Sequence, residues 1–298
     1  MHANATRPAT FASVIPLHPG TPPARRTWPE LLWDLGCLEQ LWIETELPGV
    51  RLTQQARLQG IRVRDHYAWL EGRGFALHGF LAHWQRLRAQ PRGLRIEDAS
   101  GSALLELSLA RDASDFALRT LLHTHATVTD ERPHASSPGR LHTSPSTWQG
   151  PEDPAIRHDL AEACGWLRLH PPRLRDHGRL TLVDHELVGC LFEALADQGR
   201  ALRVLTGTRG VAQRFSGVFH THHRRSGPWL QLIGDGARMR LDTAAVDSAW
   251  VFQRTGTSRR QLRLYDDSGR ALAIIEDHPA LDGSEDPIWR TLINALSD

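Results

Sequence analysis

The chain repeats itself, and an internal repeat restricts architecture more tightly than composition does. A helical pattern running into a strand, LLWDLGCLEQLWIETELPGV (Leu31 to Val50), returns as LFEALADQGRALRVLTGTRGV (Leu191 to Val211) with a single-residue length difference. ALHGFLAHW followed by LRIEDASGSALLELSL is echoed by RMRLDTAAVDSAWVF followed by LRLYDDSGRALAIIED. Each copy has a Trp-bearing strand (Trp84; Trp250) and a hairpin turned at Ser100-Gly101 or Ser268-Gly269. Each closes on a short helix, DFALRTLL from Asp115 and DPIWRTLI from Asp286, with Asp as N-cap. Thr27-Trp28-Pro29-Glu30 reads as a capping box opening the first helix. The strands between these helices alternate and turn tightly, which predicts antiparallel sheets covered on one face. The fold class expected is α+β: two tandem homologous halves, each an antiparallel β-sheet with flanking helices, in a pseudo-two-fold arrangement. The halves fall at 27–125 and 155–298, joined by a polar, Pro/Ser-rich linker over 126–154 and preceded by a flexible tail over 1–26.

Composition narrows the function classes. The 298 residues include 35 basic and 34 acidic side chains, so no strong global field points to nucleic acid or a membrane surface. Every basic residue is arginine, which removes lysine Schiff-base chemistry and a phosphate-loop lysine. Cys37, Cys164 and Cys190 have no CxxC spacing and are odd in number, the pattern of unpaired thiols in a reducing compartment. The first 26 residues are too interrupted for a secretory segment, and no stretch is long and apolar enough to span a bilayer. A cytoplasmic protein with no membrane insertion is expected.

No nucleophile elbow, paired catalytic carboxylates, HExxH or Gly-rich phosphate loop is present. Trp84, Trp229, Trp250 and Trp289 fall at repeat positions and read as core. The cluster HTHHRR, His220 to Arg225, sits where the repeat calls for a hairpin connection, so it reads as a basic loop rather than a metal site. GFALHGFLAHW, Gly74 to Trp84, raises the sharper question. Alternation puts Phe75, Leu77 and Leu81 on one side and Ala76, His78, Phe80, Ala82 and Trp84 on the other. A titratable ring on such a face needs a partner or a function; a core histidine bonded to a carbonyl is the plain alternative.

The order of motifs from Leu182 onward carries a resemblance. GVAQRFSGVF, then GPWLQLIGDGARMRLDTAAVDSAWVFQR, then LRLYDDSGRALAIIED and IWRTLINAL, with an upstream second copy, resemble the HemS/ChuS/PhuS group of bacterial cytoplasmic haem-trafficking proteins, also called haemin-degrading factors. The resemblance covers about two-thirds of the chain. It implies one haem (iron protoporphyrin) held between the halves. The iron would be bound by a histidine from a helix early in the second half, and a first-half strand would present an arginine opposite. Aligned on Leu77, Phe80, Leu81 and Trp84, His78 stands where the family has that arginine, and Arg240 is its counterpart in the second copy. The best match for the iron-binding histidine is His158 in IRHDLAEAC, with His170 and His177 as rivals and Asp159 or Asp153 as acceptor for its other nitrogen. The chain departs from the family in having a tail where a helical leader is expected, and in Pro171-Pro172, which break a helix. The role implied is a haem-binding protein of haem-iron uptake that accepts and delivers haem, with a haem importer or haem oxygenase as partner. Oxidative ring opening ranks below binding, because no machinery beyond haem ligation is visible. The alternative is a degenerate duplicate that acts as a protein-interaction module without haem.

Overall fold

Short turns decide the local pairing of the strands, and the long-range pairing then builds one sheet. In the computed structural model, residues 27–64, 66–110, 116–125, 174–224, 227–278 and 284–296 are described. From the N-terminal side they form α1 (Trp28–Leu35), β1 (Leu41–Leu47), β2 (Val50–Ala56), β3 (Gly60–Arg64), β4 (Tyr67–Gly72), β5 (Phe75–Phe80), β6 (Arg86–Gln90), β7 (Gly93–Glu97), β8 (Ala103–Leu109) and α2 (Phe116–His125). Then come β9 (Gly178–Val183), α3 (Val188–Asp197), β10 (Ala201–Thr208), β11 (Val211–Arg224), β12 (Trp229–Gly234), β13 (Ala237–Asp242), β14 (Ser248–Arg254), β15 (Arg260–Tyr265), β16 (Ala271–Asp277) and α4 (Pro287–Ala295). All pairings are antiparallel, in the order β6-β7-β8-β1-β2-β13-β12-β11-β10-β16-β15-β14-β9, and β3-β4-β5 branches onto β11.

Helix ends follow their capping residues. Glu30 accepts the Thr27 N–H at 2.8 Å, and Asp286 accepts from Ile288 and Trp289 N–H at 2.7 and 3.1 Å ahead of Pro287. The two expected hairpin turns share one chemistry. Asp98 Oδ1 accepts from the Ser100 N–H (2.8 Å), its hydroxyl (2.5 Å) and the Ser102 N–H (3.0 Å). Asp266 Oδ1 accepts from the Ser268 N–H (3.0 Å), its hydroxyl (2.6 Å) and the Arg270 N–H (2.8 Å).

The sheet corrects one expectation: the halves do not keep separate sheets. β5 leaves the first half to pair with β11, with Leu77 opposite Gln213 and His78 opposite Ala212. In return, β13 pairs with β2, with Met239 opposite Leu52 and Arg240 opposite Arg51. The backbone bonds at both junctions match. Phe80 N–H donates to the Gly210 carbonyl at 2.9 Å, and Asp242 N–H to the Gly49 carbonyl at 2.8 Å. Ser216 N–H donates to the Gly74 carbonyl at 2.8 Å, and Gln55 N–H to the Gly236 carbonyl at 2.6 Å. Gly74 and Gly236 enter the exchanged strands at φ +67° and +66°, a region that favours glycine. The cores exchange residues too: Leu47, Val50 and Leu52 join the second-half cluster, and Val211 joins the first-half one.

Four further readings are revised. β5 is buried from Phe75 to Gly79 and β16 along its whole length, so these central strands are covered on both faces. β5 stops at Phe80, and Trp84 caps the following 3₁₀ turn (Leu81–His83), whereas the 3₁₀ turn after β13 (Thr243–Ala245) is capped by Val246. Trp84 is therefore not the counterpart of Trp250. Trp84 and Trp289 are core, whereas Trp229 and Trp250 are half-buried. His220 to Arg224 continue β11 as strand rather than forming a loop, because this end of β11 pairs with β12. Asp115, the expected N-cap of α2, lies outside the described residues. No helix among the described residues is long and apolar enough to cross a membrane.

A buried amide fastens the exchange. The Thr45 hydroxyl donates to Gln213 Oε1 at 2.6 Å, and Gln213 Nε2 donates to Gln54 Oε1 at 2.9 Å. Gln54 Nε2 then donates to the Gly74 carbonyl at 3.2 Å. The chain of bonds links β1, β2 and β11 to the turn that launches β5, so the position of His78 depends on it.

Candidate functional site

His78 sits in the middle of β5 with Trp69 of β4 opposite on one side and Ala212 of β11 on the other. Its side chain is fully buried. Nδ1 meets the Tyr67 hydroxyl, and Nε2 has no hydrogen-bond partner. The ring lines a cavity of about 20 Å³, enough for one water molecule. Arg203, Leu205, Arg214, Gln261, Ile274 and Glu276 line the rest of it. Register explains how residues so distant in sequence converge: Leu205 lies opposite both Arg214 and Ile274, while Glu276 lies opposite Arg203 and Gln261. One face of the β11-β10-β16-β15 stretch thus carries a polar row that β5 extends to His78.

The electrostatics of that row are strongly cationic for a buried surface. Arg203 pairs with Glu276 at 2.8 Å, and Gln261 Nε2 donates to the same carboxylate at 3.1 Å. Arg263 donates to Gln261 Oε1 at 2.7 Å and lies over the Phe252 ring at 4.9 Å. Burial lowers the pKa of Arg214, against the pull of Glu276 and Glu71. Burial, and then the Arg214 charge, lower that of His78 to about 3, so its imidazole is neutral at physiological pH. A neutral imidazole nitrogen beside two guanidinium groups can serve a Lewis acid and carboxylates together. Those chemical types match iron and propionates, but Arg203 is already paired with Glu276. The cavity does not hold a macrocycle, so haem reaches this face only if the groups closing over His78 move.

The other expected site residues divide differently. His158, with His170, Asp153 and Asp159, lies outside the described residues. His177 is exposed at the end of a 3₁₀ turn before β9. Arg240 is not brought to His78. It lies on β13 with its guanidinium 4.9 Å over the Trp229 ring, opposite Arg51 and Gln231. It reaches β11 only through Gln231 and His223, whereas His78 is opposite Ala212, so the two occupy opposite ends of that strand. His220 is exposed and 3.4 Å from Asp235. Among the described residues, no group of three or more His, Cys, Asp or Glu could hold a metal ion. Tyr67, Arg203 and Arg214 went unread in the sequence. The signal available was an arginine inside each of two apolar strands, ALRVLTGT and VAQRF.

Comparison with known proteins agrees with this architecture. Residues 173–296 match the family model of the haemin-degrading HemS.ChuX domain. No curated protein sequence matches the chain. The crystal structure of ChuS, an Escherichia coli haem oxygenase, superposes with a TM-score of 0.71 at 18% identity, covering 92% of this chain and 88% of that one. Apo-PhuS, a haem-binding protein from Pseudomonas aeruginosa, gives 0.71 at 19% identity, covering 90% and 84%. At such identities the likeness to the solved structures is one of fold.

Proposed function

We propose, from the premise that this chain is of the HemS/ChuS/PhuS type, that it binds haem in the cytoplasm and serves haem-iron uptake by accepting haem and handing it on. The observation that carries the reading is the buried His78 Nε2, without a hydrogen-bond partner, beside Arg203 and Arg214 on a sheet to which both halves contribute strands. In this reading the chain is two tandem copies, 27–125 and 155–298, with 126–154 as linker and 1–26 as leading tail. The reciprocal pairing of β5 with β11 and of β13 with β2 supports the pseudo-two-fold relation. His158 supplies an imidazole to the iron, His78 faces the macrocycle from the sheet, and Arg203 and Arg214 take the propionates. Arg240 is assigned no haem contact, because it stacks on Trp229. An importer as donor and a haem oxygenase as recipient follow from the carrier role. Carriage ranks ahead of ring opening, since the groups lining the cavity are ones that bind and orient.

The second reading, an interaction module that has lost haem, is favoured by one observation: the cavity at His78 has the volume of a water molecule. Haemin titration of the full-length apoprotein separates the two. A Soret band that shifts and saturates supports the carrier, and Arg203→Ala and Arg214→Ala should each weaken binding roughly tenfold, the worth of one charge-assisted hydrogen bond. A spectrum identical to free haemin throughout would leave the interaction module standing.

A further inference from the structure

Independently of the haem-binding reading, we propose that β9 is a self-association edge: two copies of this chain pair β9 with β9, antiparallel about a two-fold axis at Thr181, and so join their sheets end to end. Among the described residues, β9 closes the sheet with β14 on one side and no strand on the other. The phase of its ladder is set by the Thr255 N–H, which donates to the His177 carbonyl at 3.1 Å. Opposed residues in an antiparallel pair alternate between bonded and non-bonded. The β9-β14 register runs without a shift, so the amides of Arg179, Thr181 and Val183 turn toward β14. Those of Gly178, Leu180 and Leu182 face outward. A two-fold axis at Thr181 sets Leu180 of each copy opposite Leu182 of the other, and both of these pairs present their N–H and C=O groups to each other. The outward edge of β9 is thus complementary to itself.

Side chains single out this edge. Leu182 is 59% exposed, and Leu187, ending the 3₁₀ turn that follows (His185–Leu187), is 40% exposed. Leu180 lies opposite Phe252 and Leu182 opposite Trp250, so one face of the sheet stays apolar out to its rim. The other terminal strands differ. β6, at the far end, carries exposed Arg86 and Arg88, and β3, ending the branch, carries exposed Arg62 and Arg64. Charges of one sign on an edge repel a second copy. The charges around β9 attract one instead. Arg175 and Arg179 are exposed at its start, and Asp184 and Glu186 are exposed just past its end. Antiparallel pairing lays the basic end of each copy beside the acidic end of the other, which a foreign strand of one charge would satisfy only once. A strand of 6 residues with its flanking leucines buries less than the roughly 800 Å² per partner of a standard interface. The dimer is therefore weak, with a dissociation constant on the order of micromolar.

Sedimentation velocity of the full chain, from sub-micromolar to near-millimolar concentration, should show a reversible monomer–dimer equilibrium. Leu182→Glu should raise the dissociation constant roughly tenfold or more, with an unchanged circular dichroism spectrum. Leu182→Pro should do the same, because it deletes an outward N–H and spares the bonds to β14. The register has its own test. Thr181→Cys, made together with Cys37→Ser, Cys164→Ser and Cys190→Ser, should oxidise to a disulfide-linked dimer, since a non-bonded antiparallel pair brings its Cα atoms to about 4.5 Å. Hydrogen exchange of the Leu180 and Leu182 amides should be fast in dilute protein and slow in concentrated protein. A chain that stays monomeric at every concentration would overturn the proposal. So would a dimer that tolerates Leu182→Glu and is not captured by Thr181→Cys. Edge amides already protected in the dilute monomer would mean that another part of the chain covers β9, which also overturns it. None of these outcomes bears on haem binding.

Discussion

A histidine fully buried near an arginine turns protonation into a stability term. The His78 pKa is lowered from 6.5 to about 3, so the unfolded chain takes up a proton there as pH falls below 6.5 while the folded chain does not. Its contribution is therefore fully present above 6.5 and is lost as pH drops toward 3. His83, half-buried near Arg209, is also lowered, chiefly by burial, and acts with the same sign. Asp98 works in a separate, more acidic window. Burial pushes its pKa up, but the hydrogen bonds from Ser100, Arg209 and Ser102 outweigh that and bring it to about 2. Its stabilisation is present above 3.8 and is lost as pH falls through 2. Urea unfolding at pH 7, 5.5 and 4.5 should show stability falling, with His78 contributing at most about 1.4 kcal/mol per pH unit. The His78→Leu variant should lose that part of the slope; an unchanged slope would mean that His78 is not held neutral in the native state.

At the scale of elements, matched positions carry unequal constraints. Gly74 and Gly236 both open an exchanged strand at positive φ, yet their surroundings differ. A Cβ at Gly74 would come within 2.6 Å of the Ser216 carbonyl oxygen, whereas at Gly236 the nearest atom is Gln55 Cβ at 3.4 Å. Gly236→Ala should cost about 1 kcal/mol through backbone conformation alone. Gly74→Ala should cost about 2–4 kcal/mol, since the strand must also retreat from β11. Retreat of β5 moves His78, so under the proposed haem-binding role haem affinity should drop in Gly74→Ala and hold in Gly236→Ala. Chemical denaturation and haemin titration of the two variants check this together. Equal losses would show that the junction at β5 tolerates displacement.

For the whole molecule, strand exchange makes each half incomplete. A fragment of residues 173–298 would leave the β11 edge from Val211 to Phe215 without β5, and the β13 edge without β2. It would also strip Leu47, Val50 and Leu52 from its core. Bare edges of buried strands seek other chains. The isolated fragment should therefore elute as dimers or larger species in size-exclusion chromatography with light scattering, and co-expression with residues 1–172 should restore a one-to-one complex. A monomeric fragment with native-like circular dichroism would contradict the dependence.

The amino-acid sequence alone determined what a few neighbouring residues can settle. The Asp286-Pro287 helix start, the Ser-Gly hairpins and the strand carrying His78 are written in caps, turn residues and alternation, all of which act within a turn or two of chain. The family likeness of residues 173–296 is legible for the same reason. Tertiary structure alone decided which strands cross between the halves, since β5 could pair anywhere its pattern fits, and buried side chains such as Gln213 choose the register. That choice set Tyr67, Arg203 and Arg214 around His78 and carried Arg240 to the other end of β11. The lining of the His78 cavity, drawn from five strands, depends on packing between residues more than a hundred positions apart, and no local pattern encodes it.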